Sequence, residues 1–227
     1  MSTSPPLLIG MFDSPFVRRV AISMTLLDLP FEHRNWSVGR DFERIRAYNP
    51  LGRVPVLVPA DGEAPGEALI ESAMILEHLD DVVGAERALM PPGGAGRREA
   101  LRILAFATGA VEKSLQIVME RVFRPEAIHH PPFVERCRAQ MRGALGELDR
   151  ICAAAADREW LIGDMSARGR ITQADITVGC FVTYLHEAVP ESLDAWPALR
   201  ARVARYEALL VFQRFHVPFD APKTGTA

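Results

Sequence analysis

Long apolar runs are missing from this chain. No stretch approaches the roughly 18 to 20 residues of a membrane-spanning helix. The start, Met1 to Pro6, has neither the basic nor the apolar region of a signal peptide. The expected location is therefore the cytoplasm, with no membrane partner. Cysteine is scarce: Cys137, Cys152 and Cys180 are odd in number and scattered through stretches that read as helix. Neither a disulfide framework nor a zinc set follows from them, and they are expected to be buried structural thiols. Charge of one sign is lacking too, since 26 Lys and Arg face 29 Asp and Glu for a net charge of -3. Such a balance creates no field that would gather nucleic acid. His129-His130 is the one pair that invites a metal, but adjacent residues before two prolines point apart and no third ligand stands near them, so no metal is expected.

What is present suffices for two modest domains, because 227 residues can bury self-sufficient cores without staples. The first ninety residues alternate short β-like runs with helical stretches, the signature of an α/β unit with parallel strand pairing. Leu7 to Phe12 reads as a strand. Ser14-Pro15 then opens a helix, since serine is a good N-cap and proline suits the first turn, and Phe16, Val20, Met24 and Leu27 recur at helical spacing. Phe31 to Trp36 reads as a strand, Asp41 to Tyr48 as a short helix and Asn49 to Gly52 as a turn. Val54 to Val58 follows as a third strand, Asp61-Gly62 as a hairpin turn and Ala68 to Ile70 as a brief fourth strand. Ser72 caps a helix that Gly84 closes.

Met90-Pro91-Pro92-Gly93-Gly94 can continue neither helix nor strand and marks the linker. The expected domains are 1–84 and 95–227, the second wholly helical. Its helices are Glu99 to Phe123, Pro132 to Ala156 with one apolar stripe, one opening at Thr172, and Ala198 to Phe212. Thr172 and Asp175 form a capping box, with Ile171 and Ile176 as its hydrophobic staple and Asp175 read as structural. Asp220 to Ala227 looks like a frayed tail.

Ser14-Pro15-Phe16-Val17 stands at the first strand-to-helix turn, where thioredoxin-like redox domains carry Cys-x-x-Cys. Here both cysteine positions hold other residues, which removes dithiol chemistry but keeps a hydroxyl at a helix N-terminus. That end favours an anion, and a ligand thiolate is one; a plain helix cap is the other reading. The electrostatic gain is bounded. A thiol of pKa ~8.5 is about 7% ionised near neutral pH, and lowering it by roughly two units raises that about tenfold, so positioning has to supply the rest.

Pro55 inside a strand cannot donate a ladder bond, so it sits at an edge or carries a cis bond. A cis bond would present the backbone of Val54 to a peptide-like ligand, which would pair with it as an added strand does. Glu71-Ser72 begins the next helix. The serine hydroxyl and first-turn amides there suit a carboxylate, and Glu71 suits an amine beside it, so together they fit a free α-amino acid end. An N-cap beside an exposed acid is the plainer alternative. Arg18 and Arg19 are expected to be solvated or to pair across domains rather than to act on a ligand.

The joint order of SPFVRRV, GRVPVLV and LIESAMILEHLDD, followed beyond the linker by WLIGD and ITQADITVG, resembles the bacterial cytosolic glutathione transferases over nearly the whole chain. The resemblance implies a thioredoxin-like glutathione-binding domain followed by an all-α domain that supplies most of an electrophile pocket, in a homodimer engaged in detoxification. It implies that Ser14, as in the serine-type classes, donates a hydrogen bond to the glutathione thiolate. Val54 before cis-Pro55 would hold the cysteinyl backbone, Glu71 and Ser72 the γ-glutamyl end, and Arg53 or Arg40 the glycine carboxylate. Phe12, Phe16 and the Glu99 to Phe123 helix would line the pocket for a small hydrophobic electrophile, with glutathione as cosubstrate and no metal. The absence of cysteine at position 14 speaks against the disulfide chemistry of omega-like members, the SSCxxR pattern of zeta-like isomerases is missing, and no tyrosine of the mammalian type stands nearby. Asp164 to Ile171 is longer and more charged than the family's usual turn before the capping box. Glutathione-dependent peroxidase, dehalogenase or isomerase chemistry, and a non-catalytic interaction module, remain the alternatives.

Overall fold

The computed structural model describes residues 5–60, 67–162 and 169–220. The Asp61-Gly62 turn, most of the Asp164 to Ile171 stretch and nearly all of the tail lie outside the described residues. The chain forms two compact units. One comprises the residues up to Leu89 together with Leu210–Val217, and the other Met90–Leu209 with the residues from Pro218 on. The break falls at the edge of the expected linker. Leu210–Val217 belongs by its contacts to the first unit, not to the helical one, which corrects the expected boundary of the second domain.

The first unit is a mixed sheet with helices on both faces. In chain order it runs β1 (Leu7–Ile9), α1 (Pro15–Leu26), β2 (Glu32–Arg34), α2 (Phe42–Arg46), β3 (Val56–Val58), β4 (Leu69–Ile70) and α3 (Ser72–Val83). The sheet order is β2-β1-β3-β4. Only β1 and β2 pair in parallel; β1 with β3 and β3 with β4 are antiparallel, so the parallel expectation holds for one pair alone. Alternation sorts the side chains. Ile9 and Val56 meet Ile45 of α2 on one face, with Trp36 and Tyr48 against them. Leu8 and Leu57 are buried on the other face, where the apolar stripe of α1 (Val17, Val20, Met24) and Ile75 and Leu79 of α3 are also buried. α1 packs on α3 and on the last helix of the chain.

The helical unit contains α4 (Gly94–Phe123), α5 (Pro131–Ala154), α6 (Gln173–Ala188) and α7 (Pro197–Glu207). α4 starts five residues before the expected Glu99. The expected last helix is two: α7, and α8 (Leu210–Arg214) in the first unit. α4 packs on α5 and α6, which both pack on α7. His129 and His130 serve the α4–α5 connection: the His129 ring Nε2 lies 2.9 Å from the Arg124 carbonyl, and the His130 N–H donates to the buried Glu120 carboxylate at 2.7 Å.

The capping box at Thr172 forms as its sequence suggests, and it is one arm of a larger buried network. Asp175 is fully buried. Its Oδ1 accepts from the Leu161 N–H at 2.9 Å and the Tyr206 hydroxyl at 2.6 Å, and its Oδ2 accepts from the Thr172 N–H at 3.0 Å and hydroxyl at 2.7 Å. One carboxylate thus ties the start of α6 to α7 and to the segment after α5. The three cysteines are buried, and none is in a disulfide among the described residues.

Burial pushes the Cys152 thiol up to about 12 from an ordinary 9.0, and pushes the Tyr206 hydroxyl well above its ordinary 10.0. Both groups stay protonated in the folded chain where the unfolded chain releases its protons. Their contribution to stability is therefore complete below about pH 9 and is lost as the pH climbs toward about 12. The urea midpoint is expected to be lower at about pH 10 than at about pH 8, and Cys152 to resist alkylation at about pH 8 until the chain is unfolded. A midpoint independent of pH over that interval would contradict this account.

Candidate active site

Ser14 sits in extended backbone just before α1, with Pro15 as the first helical residue. Its Oγ accepts from the Val17 N–H at 3.4 Å, which is the expected cap. The hydroxyl hydrogen has no acceptor among the described residues. Proline at the first position has no N–H that would need a partner there.

Gly10 brings this helix start to the loop before β3. Its φ is +136°, and a Cβ there would lie 2.5 Å from Val17 Cγ2 and 2.9 Å from Val54 Cβ, so no side chain fits between them. The Val54–Pro55 peptide is cis. Among the described residues, neither the N–H nor the carbonyl of Val54 has a hydrogen-bond partner. The loop leading to Val54 is held by the buried Asn49, whose side-chain amide donates to the Arg53 carbonyl at 2.8 Å while its Oδ1 accepts from the Leu51 N–H at 3.0 Å. Gly52, at φ +63°, faces the Phe42 ring, whose nearest atom would lie 2.2 Å from a Cβ at that position.

Arg53 reaches across to Glu71, with guanidinium and carboxylate 3.3 Å apart. Both are largely exposed, so the pair contributes little to stability and is open to exchange with a ligand. Glu71 adopts φ +64° and ψ 117°, a conformation that costs a non-glycine residue about 1 to 3 kcal/mol and that clusters at functional sites. It is Glu71, not Ser72, that caps α3; Ser72 is the first helical residue, and this corrects the expected cap. The Ser72 hydroxyl is instead buried and accepts twice from Arg19, at 3.2 Å from Nε and 2.7 Å from a terminal nitrogen. With both N–H bonds arriving at its oxygen, its own hydrogen is left to donate beside the start of α3, where the Met74 and Ile75 amides donate to the Glu71 carbonyl at 3.0 Å.

Arg18 and Arg19 are therefore corrected as well, since both are buried rather than solvated. Arg18 donates to the Phe212 carbonyl of α8 at 2.9 Å, and Arg19 lies behind Ser72 with its guanidinium 5.9 Å from the centre of the Phe16 ring. The signal was available: Arg19 is three residues after Phe16 and four before Ser23, on the same stripe that buries Val20 and Met24. Asn49 and Gly10 were missed because one reads as turn punctuation and the other as a strand end.

The fold thus joins Ser14, Val54, Arg53, Glu71, Ser72 and Phe16 through Gly10, Asn49 and Arg19, all in the first unit. Two expected residues have other partners. Arg40 is turned onto Asp41 and the Asn35 carbonyl at 2.9 and 2.8 Å. The Ser37 N–H, then the Arg40 and Arg44 guanidinium groups, hold the Asp41 carboxyl below its usual range. The Phe12 ring stacks on His33 at 4.0 Å and meets Phe215 edge-on at 5.0 Å.

Sequence comparison matches residues 8–87 to a model of the glutathione S-transferase N-terminal domain and residues 131–208 to one of the glutathione S-transferase C-terminal domain. The GST-like protein YibF of Escherichia coli K12 is 27% identical over 179 residues, 79% of this chain and 81% of that protein. The probable glutathione S-transferase GSTU1 of Oryza sativa subsp. japonica is 27% identical over 210 residues, 86% and 85% of the two chains. Among solved structures, a Methylobacterium radiotolerans glutathione S-transferase in complex with glutathione sulfonate superposes with a TM-score of 0.84 at 29% identity, covering 99% of this chain and 100% of the other. A Methylobacillus flagellatus glutathione S-transferase with glutathione bound shares the fold, with a TM-score of 0.78 at 24% identity over 94% of this chain and 100% of that one.

Proposed function

Because the chain belongs to the glutathione S-transferase family, we propose that its first unit binds glutathione and that Ser14 donates a hydrogen bond to the bound thiolate, which attacks a small hydrophobic electrophile. The observation that carries this reading is the Ser14 hydroxyl, which accepts from Val17 and donates to nothing among the described residues. A thiolate placed there takes the hydroxyl hydrogen and faces the amide end of α1. The lower thiol pKa leaves more of the nucleophile ionised, and the fixed position removes the entropy of encounter. The sulfur forms a bond to the electrophilic carbon, and the leaving group departs with the electron pair of the bond it breaks.

The remaining residues hold the tripeptide. The unpaired backbone groups of Val54 pair with the cysteinyl peptide as a neighbouring strand would. The Ser72 hydroxyl at the start of α3 takes the γ-glutamyl carboxylate, and Glu71 takes the adjacent amine. Arg53 meets the glycine carboxylate, a role that Arg40, held by Asp41, is less free to fill. Phe16 borders the sulfur. The glutathione sulfonate held by the Methylobacterium relative supports this choice of cosubstrate.

Ser72→Ala is expected to weaken glutathione binding about tenfold, the loss of one hydrogen bond to a charged group, while the thiol pKa of the saturated complex stays low. Calorimetry with pH titration of the bound thiol reads both quantities. Failure of the native chain to bind immobilised glutathione would end the transferase reading and favour a protein-interaction module. Turnover against aryl halides, hydroperoxides and unsaturated carbonyls then sorts conjugation from reductive chemistry. We further propose a cytoplasmic homodimer with a role in detoxification, and expect sedimentation at twice the 25.1 kDa chain mass.

A further inference from the structure

The helical unit has a cavity of its own, between the start of α4 and the end of α5. It measures about 520 Å³, within the range of small-molecule sites. Arg98 and Arg102 of α4, Arg150 of α5 and Arg158 just beyond it stand in its wall, and Glu99 is the one acid among the described lining residues. The residues proposed to hold glutathione all belong to the other unit.

The chain as a whole is slightly acidic, with 26 Lys and Arg against 29 Asp and Glu, so four arginines around one cavity are a local reversal of its charge. Two of them have a structural role. Arg102 donates to Glu147 at 3.0 Å and to Glu99 at 3.3 Å, and Arg150 donates to the same Glu147 oxygen at 2.9 Å, which fastens α4 to α5. The other two have none of this kind. Arg98 and Arg158 are exposed, and neither guanidinium has a hydrogen-bond or ion-pair partner among the described residues. The backbone of Arg158 is fixed all the same, because its carbonyl accepts from Arg202 at 3.0 Å and from Arg205 at 3.3 Å. Asp157 and Glu159, its neighbours in the chain, do not line the cavity.

Glu99 and Glu147 offset Arg102 and Arg150, and two positive charges remain for a ligand. A carboxylate answers one of them. A phosphate group answers both, since it carries up to two negative charges and its oxygens match the paired N–H donors of a guanidinium. The uncharged part of the wall includes Ala95, Ala154 and Ala155, whose small side chains leave room for an organic group, with Ile151 and Leu161 beside them.

We infer that this cavity binds a small phosphorylated molecule, with its phosphates on Arg98 and Arg158 and its organic part against the alanines. Calorimetry of the full chain at low ionic strength tests this with orthophosphate, pyrophosphate and ADP as probes. Pyrophosphate is expected to bind once per chain and about tenfold more tightly than orthophosphate, which corresponds to some 1.4 kcal/mol. ADP should bind at least as tightly as pyrophosphate, and saturating glutathione should displace neither. Arg98→Gln and Arg158→Gln should each weaken ADP binding about five- to tenfold, and Arg98→Lys should keep part of the affinity. Arg136→Gln removes an exposed charge of α5 outside the cavity and should change nothing. Absence of binding, pyrophosphate no tighter than orthophosphate, ADP weaker than pyrophosphate, or an equal loss in Arg136→Gln overturns the site. Sedimentation of each variant runs beside the titrations, and a loss of affinity that comes with a changed oligomeric state assigns these arginines to contact between copies and overturns it as well.

Discussion

Ser14→Ala is expected to lower kcat/KM by about 10- to 100-fold, the loss of one hydrogen bond to a charged group in the transition state. The fall should appear in kcat at saturating glutathione, because Val54, Glu71 and Ser72, proposed to hold the tripeptide, are unchanged. Ultraviolet titration of the bound thiol separates causes: in the native chain the thiolate forms below the pH at which free glutathione ionises, and in the alanine variant the two should nearly coincide. Ser14→Thr, which keeps a hydroxyl on a β-branched side chain compatible with the cap, should retain most of the effect. A thiol pKa in Ser14→Ala as low as in the native complex would move the nucleophile's stabilisation elsewhere.

The second large effect concerns stability. Asp175→Ala removes the acceptor for two backbone N–H groups and two hydroxyls in a site with no access to water. Breaking such a buried charged network costs about 3 to 5 kcal/mol, a large share of the ~5 to 15 kcal/mol of a typical domain. The expected result is a helical unit that unfolds at much lower urea or is recovered insoluble. Tyr206→Phe removes one partner and leaves three, so about 1 to 2 kcal/mol is expected and the variant should fold. Equal losses in the two variants would mean that the carboxylate is not the centre of the network.

What could be read in advance follows from how local the cause is. The Ser14 cap, the turn ending in Gly52, the Gly84 helix end and the Thr172–Asp175 box each depend on neighbours within about four residues, and each is legible as spacing. The fate of Arg18 and Arg19 is not local. Their acceptors, Phe212 and Ser72, lie 194 and 53 residues away, and no window of sequence holds both partners. For the same reason Ser72 reads as a cap, although the fold gives that place to Glu71. The end of α7 also escapes, since Glu207-Ala208-Leu209-Leu210 contains no glycine or proline to mark it. Of the two candidate arginines for the glycine carboxylate, sequence offers no preference; the Asp41 carboxylate, one residue from Arg40, supplies one only once its orientation is known.

The return of Leu210–Val217 to the first unit bears on the order in which a ribosome releases the parts. A nascent chain that has emerged only through Leu89 has every strand of its sheet but not α8, so the Phe212 carbonyl and the Phe215 ring do not yet exist for Arg18 and Phe12 to meet. The first unit therefore reaches its final form only after Leu210–Val217 has followed the whole helical unit out, and severing the gene at the linker would not yield a self-contained N-terminal piece.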